Sequence, residues 1–183
     1  MRIALVLAGV LSAVQLSGQQ IIETRNVPLA IALYSTKPQK AKFVDNRRGL
    51  AKLDQKPQCK IAPTAAQSFD HSKATIGLQL QVTTIGDKWT YAPVVIVADG
   101  RQVYSSKLEW TSNLMLGGQW RQDSMVESDV SLIRTLSKAK QVFVTVALDN
   151  AQLSFELTPE TLTACGLVAA KFDELTAAVN AAK

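Results

Sequence analysis

Histidine is almost absent from this sequence, with His71 alone in 183 residues, and cysteine is nearly as scarce, with only Cys59 and Cys165. These shortages exclude several chemistries. One histidine and two distant cysteines provide neither a C-x-x-C pair nor two histidines a helical turn apart, so a structural zinc site lacks its usual ligands. No run of alternating Asp and Asn oxygens ends in Glu, as a calcium loop requires. Gly117-Gly118 is an isolated pair without the Lys-Ser/Thr or the spaced third glycine of phosphate-binding loops. No Gly-x-Ser-x-Gly elbow is present. His71 stands between Asp70 and Ser72, but neighbours on an extended chain point apart, and a Ser-His-Asp site has to converge in space. The sequence therefore predicts no catalytic residue, no metal site and no cofactor. A hydrolase with a dispersed site, built from a serine or an acid pair, stays open as an alternative.

Long apolar runs are missing too. The longest lies at the start, where Ile3 to Val14 is apolar apart from Gly9 and Ser12, behind Met1-Arg2 and ahead of Gln15-Leu16-Ser17-Gly18. That is the layout of a cleavable secretory signal peptide, and it falls short of the ~20 apolar residues that span a bilayer. Residues 1–18 are expected to be removed after Gly18, leaving 19–183 as a single α+β domain, secreted or periplasmic and not an integral membrane protein. Position 19 is Gln and not the Cys that would carry a lipid. No Asn-x-Ser/Thr sequon occurs, which favours a bacterial envelope over a glycosylating route. Export to an oxidising compartment would allow the two cysteines to pair, so a Cys59–Cys165 disulfide is expected.

Acidic charge is thin in one stretch. Eight basic residues stand between Lys37 and Lys60 against only Asp45 and Asp54, for a local charge of +6, whereas the chain from Ile61 onward carries −2. The excess belongs to a long connection, about residues 35–73, which is too long for an ordinary loop. Within it Lys40, Lys42, Arg47, Arg48 and Lys52 are the candidate anion-binding residues. Phe43 is the only aromatic between Lys37 and Lys60, which argues against stacking on single-stranded nucleic acid. An envelope protein, an anionic envelope polymer or a lipid is the expected partner.

What is plentiful is period-two alternation. Ile76, Leu78, Leu80 and Val82 mark one strand, and Val27, Leu29, Ile31 and Leu33 an earlier one with Pro28 near its start. Val94 to Ala98 is continuously apolar and leads through Asp99-Gly100 into a return strand carrying Tyr104, Leu108 and Trp110. A later hairpin joins Val142–Leu148 to Leu153–Leu157. Ser124 and Glu127 stand in capping-box spacing before a stripe of Val126, Val130, Ile133 and Leu136. Thr158-Pro159 opens a second helix with the stripe Leu162, Cys165, Val168, Phe172, Leu175 and Val179. The expected fold is α+β, a mainly antiparallel sheet of about six strands with two helices packed on one face.

A second candidate site is Leu116-Gly117-Gly118-Gln119-Trp120-Arg121. Paired glycines free the backbone there, and Trp120 and Arg121 are residue types that dominate binding hot spots. Together these features point to an exported, non-enzymatic domain that binds a partner or ligand through loops.

Overall fold

Alternation with a period of two recurs in several segments between Ile21 and Glu156, and the chain folds largely as strand after strand. The computed structural model describes residues 19–44, 56–85, 88–115, 117–149 and 151–181. Its strands are β1 (Ile21–Asn26), β2 (Ile31–Thr36), β3 (Gln39–Val44), β4 (Gln58–Ser68), β5 (Ala74–Ile85), β6 (Tyr91–Ala98), β7 (Arg101–Glu109), β8 (Thr111–Leu114), β9 (Gln119–Ser128), β10 (Val142–Leu148) and β11 (Ala151–Glu156). Helix α1 (Val130–Lys138) follows β9, and α2 (Pro159–Ala181) follows β11.

All the strand pairs are antiparallel. Nine strands form one path in the order β7-β6-β10-β11-β3-β4-β5-β9-β8, with β2 also on β4 and β1 on β2. The path curls into a nearly closed barrel. Its two ends, β7 and β8, are separated in the chain by Trp110 alone, and Ser124 of β9, the strand beside β8, donates to the Glu109 carbonyl of β7 at 2.7 Å.

The expectation of about six strands is therefore corrected to eleven, and a simple layered sheet to a barrel-like one. The supposed strand at Val27–Leu33 is instead the turn at residues 27–30 that joins β1 to β2, together with the first residues of β2. The long connection at 35–73 contains β3 and the eleven-residue β4. Strand β4 hides from pattern reading because Ile61 to Ala65 is buried on both faces, which erases alternation, and because it carries Pro63. The Ser124/Glu127 capping box does not form, since both residues belong to β9. Helix α1 is capped instead by Asp129, whose carboxylate accepts from Leu132 N–H at 3.1 Å. Strand β8 completes the set.

Antiparallel partners point to the same face, and the register lays out the core directly. Cys59, Ile61 and Ala65 of β4 face Val82, Leu80 and Ile76 of β5, and Leu78 faces Val126 of β9. The other half of the barrel adds Val94 and Ile96, Val142, Val144 and Val146, and Leu153 and Phe155, all buried. Ile133 and Leu136 of α1 and Leu162, Cys165, Val168 and Leu175 of α2 join the same cluster. Burying each such side chain stabilises by about 1.5–3 kcal/mol.

Helix α2 opens with Thr158 receiving the Thr161 N–H at 3.4 Å. It is tied to the sheet by Gln67, which donates to the Leu175 carbonyl at 3.3 Å, and to α1 by the bidentate Arg134–Asp173 pair at 2.7 Å. No helix among the described residues is long and apolar enough to cross a membrane. The expected Cys59–Cys165 disulfide is absent: both residues are buried free thiols beyond bonding distance. Cys59 points inward from β4 and Cys165 packs from α2, each serving as a small apolar side chain.

Candidate functional site

Strands β6 and β10 start as partners and then separate. Their ladder runs from Val142↔Ala98 to Val146↔Val94 and stops there. The next residue of β6 is Pro93, which has no N–H to give to a ladder, and Tyr91–Pro93 stays on β7 alone, with Pro93 opposite Lys107. The divergence leaves a cleft of about 520 Å³, within the range of small-molecule sites. One wall is Tyr91, Pro93 and Lys107, and the other is Ala147, Leu148, Asp149, Ala151 and Leu153. Pro57, Thr84, Ile85, Lys88 and Trp89 complete the lining.

Polar groups are few and lie mainly at the rim. Lys88 Nζ stands 5.8 Å from the centroid of the Trp120 ring and Lys107 Nζ 5.7 Å from that of Tyr91. Trp89 packs edge-on against Trp110 with centroids 6.0 Å apart. Buried Gln122 fastens the base of this region, accepting from Trp89 N–H at 3.0 Å and from the Ser112 hydroxyl at 3.2 Å. The Trp89 backbone is thus held by a side chain from the facing strand.

Two other hollows are less suited to a ligand. One of about 430 Å³ lies between β7 and α1, but its acid, Asp129, is committed to capping α1. The other, about 200 Å³, lies beside Glu23, Arg25, Gln67 and His71. There Arg25 pairs with Glu23 at 3.1 Å and Gln67 is held by α2. His71 is an exposed turn residue with φ of 56°. The neighbouring Asp70 carboxyl is held down to about 2 by hydrogen bonds from the Ser68 hydroxyl and from the Ser72 N–H and hydroxyl. Ser72 Oγ donates to Asp70 at 2.8 Å, so the serine serves the acid directly.

The four expected binding residues that are described, Lys40, Lys42, Trp120 and Arg121, lie on β3 and β9. Lys40 and Lys42 lie on β3, opposite in direction to inward Phe43, which packs on Phe155 at 5.7 Å. Lys42 pairs with Glu156 at 3.6 Å. Arg47, Arg48 and Lys52 fall outside the described residues. Arg121 is exposed and pairs with Asp123 at 3.0 Å. Trp120 is half-buried beneath Lys88, which places it beside the cleft. Lys88, Trp89, Tyr91 and Lys107 are not among the candidate site residues that the sequence singled out. The signal was the run Lys88-Trp89-Thr90-Tyr91, a cation among aromatics just before a strand.

No cluster of three or more His, Cys, Asp or Glu that could hold a metal occurs among the described residues. Comparison with protein-family models and with curated proteins finds no match for this chain.

Proposed function

We propose that this chain is an exported, non-enzymatic binding domain that takes a small ligand into the cleft between β6 and β10. The observation that carries the reading is the end of the β6–β10 ladder at Val146↔Val94, before either strand itself ends, with a hollow of about 520 Å³ beside it that both strands line. A hollow set against a packed sheet makes a preformed site, and preformed sites bind with less cost of ordering. Support for export is the leader pattern of residues 1–18.

Uptake of an uncharged solvatochromic dye, Nile red, tests the cleft. The dye should bind saturably with about one site per chain and shift its emission to the blue. Ala151→Trp, which places an indole in the hollow, should abolish that shift while thermal unfolding stays cooperative. Dye binding that survives in a folded Ala151→Trp protein would remove the cleft as the site. N-terminal sequencing of exported protein tests the leader. The chain should begin at Gln19, and an intact Met1 would overturn export.

A second reading rests on one pair. Lys40 and Lys60 face each other across β3 and β4, both exposed, with Lys42 two residues along on the same outward face. Lys40 and Lys60 have no carboxylate partner among the described residues, whereas Lys42 pairs with Glu156, and clustered like charges attract polyanions. Salt-sensitive binding to vesicles rich in anionic lipid, weakened by Lys40→Gln with Lys60→Gln, is the expected result. No binding at low salt would leave these lysines as solvated surface.

A further inference from the structure

The cleft has two chemically distinct halves. At the rim stand Lys88 and Lys107, each with its ammonium over an aromatic ring and neither paired with a carboxylate among the described residues. A ring attracts a cation through its quadrupole but carries no net charge, so both positive charges remain available. Asp149 is the one acid among the described lining residues. Trp89, also in the lining, has a buried indole N–H with no acceptor among the described residues. Away from these groups buried Leu153 and half-buried Leu148 offer only hydrocarbon, and the apolar wall continues outward through exposed Pro93, Ile85, 39% exposed, and Tyr91, 56% exposed.

We infer that the ligand of this cleft is an acidic amphiphile, a molecule with one carboxylate or phosphate head and an aliphatic tail. The inference rests on the cleft reading above. A cationic head would meet two uncompensated ammonium groups. A sugar or other evenly polar ligand would lose water against proline and leucine side chains without hydrogen bonds to replace it. An acidic head at Lys88 and Lys107 has donors and opposite charge, and its tail has apolar wall that reaches the surface. Two charge-assisted contacts at a partly exposed rim should together change affinity by about tenfold or somewhat more.

Displacement of Nile red by four ten-carbon chains, each below its micellar concentration, tests this. Decanoate and decyl phosphate should displace the dye at concentrations about tenfold lower than 1-decanol, and decyltrimethylammonium should be weakest. The stronger of the two acids identifies the head group. Lys88→Gln with Lys107→Gln should bring decanoate to the level of decanol, and added salt should do the same in part. Equal displacement by decanoate and decanol in the wild type, or an unchanged acid preference in the double variant, would overturn the acidic head. Nile red that never binds would instead overturn the cleft itself, so the two failures are distinguishable.

Discussion

The two cysteines show how strongly surroundings govern a single residue. Both thiols are buried, and burial pushes the Cys165 pKa up to about 12 from an ordinary 9.0 and that of Cys59 upward as well. The thiolate is the nucleophile, so neither residue should react while the protein is folded. Iodoacetamide should add nothing to native protein, and should add to both cysteines after unfolding without reductant, as read by mass. An unfolded protein that takes up the label only after reduction would mean a disulfide and contradict this packing. On the outer surface, Lys40 and Lys60 are directly opposed across β3 and β4. Lys60→Glu converts a like-charge pair into an opposite one and should stabilise by roughly 0.2–1 kcal/mol. Urea denaturation at low salt measures it, and a loss of stability would count against that register.

At the scale of elements, the junction of β9 and α1 decides where period two gives way to period 3.6. Ser128 ends the strand, Asp129 caps, and Val130 begins the helix. Hydrogen bonds from the Ser131 hydroxyl and the Leu132 N–H hold the Asp129 carboxyl below its ordinary value. Asp129→Ala should destabilise by about 1 kcal/mol, and Asp129→Asn by less, because the amide oxygen can still accept. Strand β9 passes close to Gly77 of β5, where a Cβ would run into the Val126 carbonyl oxygen. Backbone cannot yield as a flexible side chain can, so Gly77→Ala should cost about 1–3 kcal/mol. Chemical denaturation reads both, and a neutral Gly77→Ala would mean that the two strands are free to part.

For the whole molecule, the shifted groups define a window of stability against pH. Asp70, Asp129, Glu156 and Glu160 all have lowered pKa values in the fold. Their contribution is present above the ordinary carboxylate range and is lost as pH falls, reaching down to about 2 for Asp70. The two thiols act in the other sense. Cys165 contributes fully below 9.0, and that contribution is lost as pH rises toward about 12. Thermal midpoints should therefore form a plateau from about pH 5 to 8 and decline on both sides. A steady rise in stability through pH 10 would contradict the burial of the thiols.

Strands with one wet face announced themselves. Ile76 to Val82 alternates because β5 has polar Gln79 and Gln81 on its outer side, and the helical stripe from Leu162 to Val179 repeats at the spacing of α2 for the same reason. Asp99-Gly100 likewise marked its hairpin, since both residues take positive φ. Strand β4 gave no such pattern, being buried on both faces over Ile61–Ala65. Strand β9 gave little, because fully buried Gln122 occupies an inward position where an apolar residue is expected. Among the described residues its amide is satisfied by Thr84, Ser112 and Trp89, which are brought together on folding. The cleft is legible in one respect, as Pro93 is a place where a ladder can stop. Nothing local says that Val146 lies beside Val94, or that Lys88 and Lys107, nineteen residues apart, share one rim. Local alternation, turn chemistry and caps thus determined which segments became β5, the Asp99-Gly100 hairpin and α2, because those signals act between near neighbours. The number of strands, the closing of the barrel, the separation of the thiols and the cleft were decided by tertiary structure, because each depends on which distant strands pair and where their pairing ends.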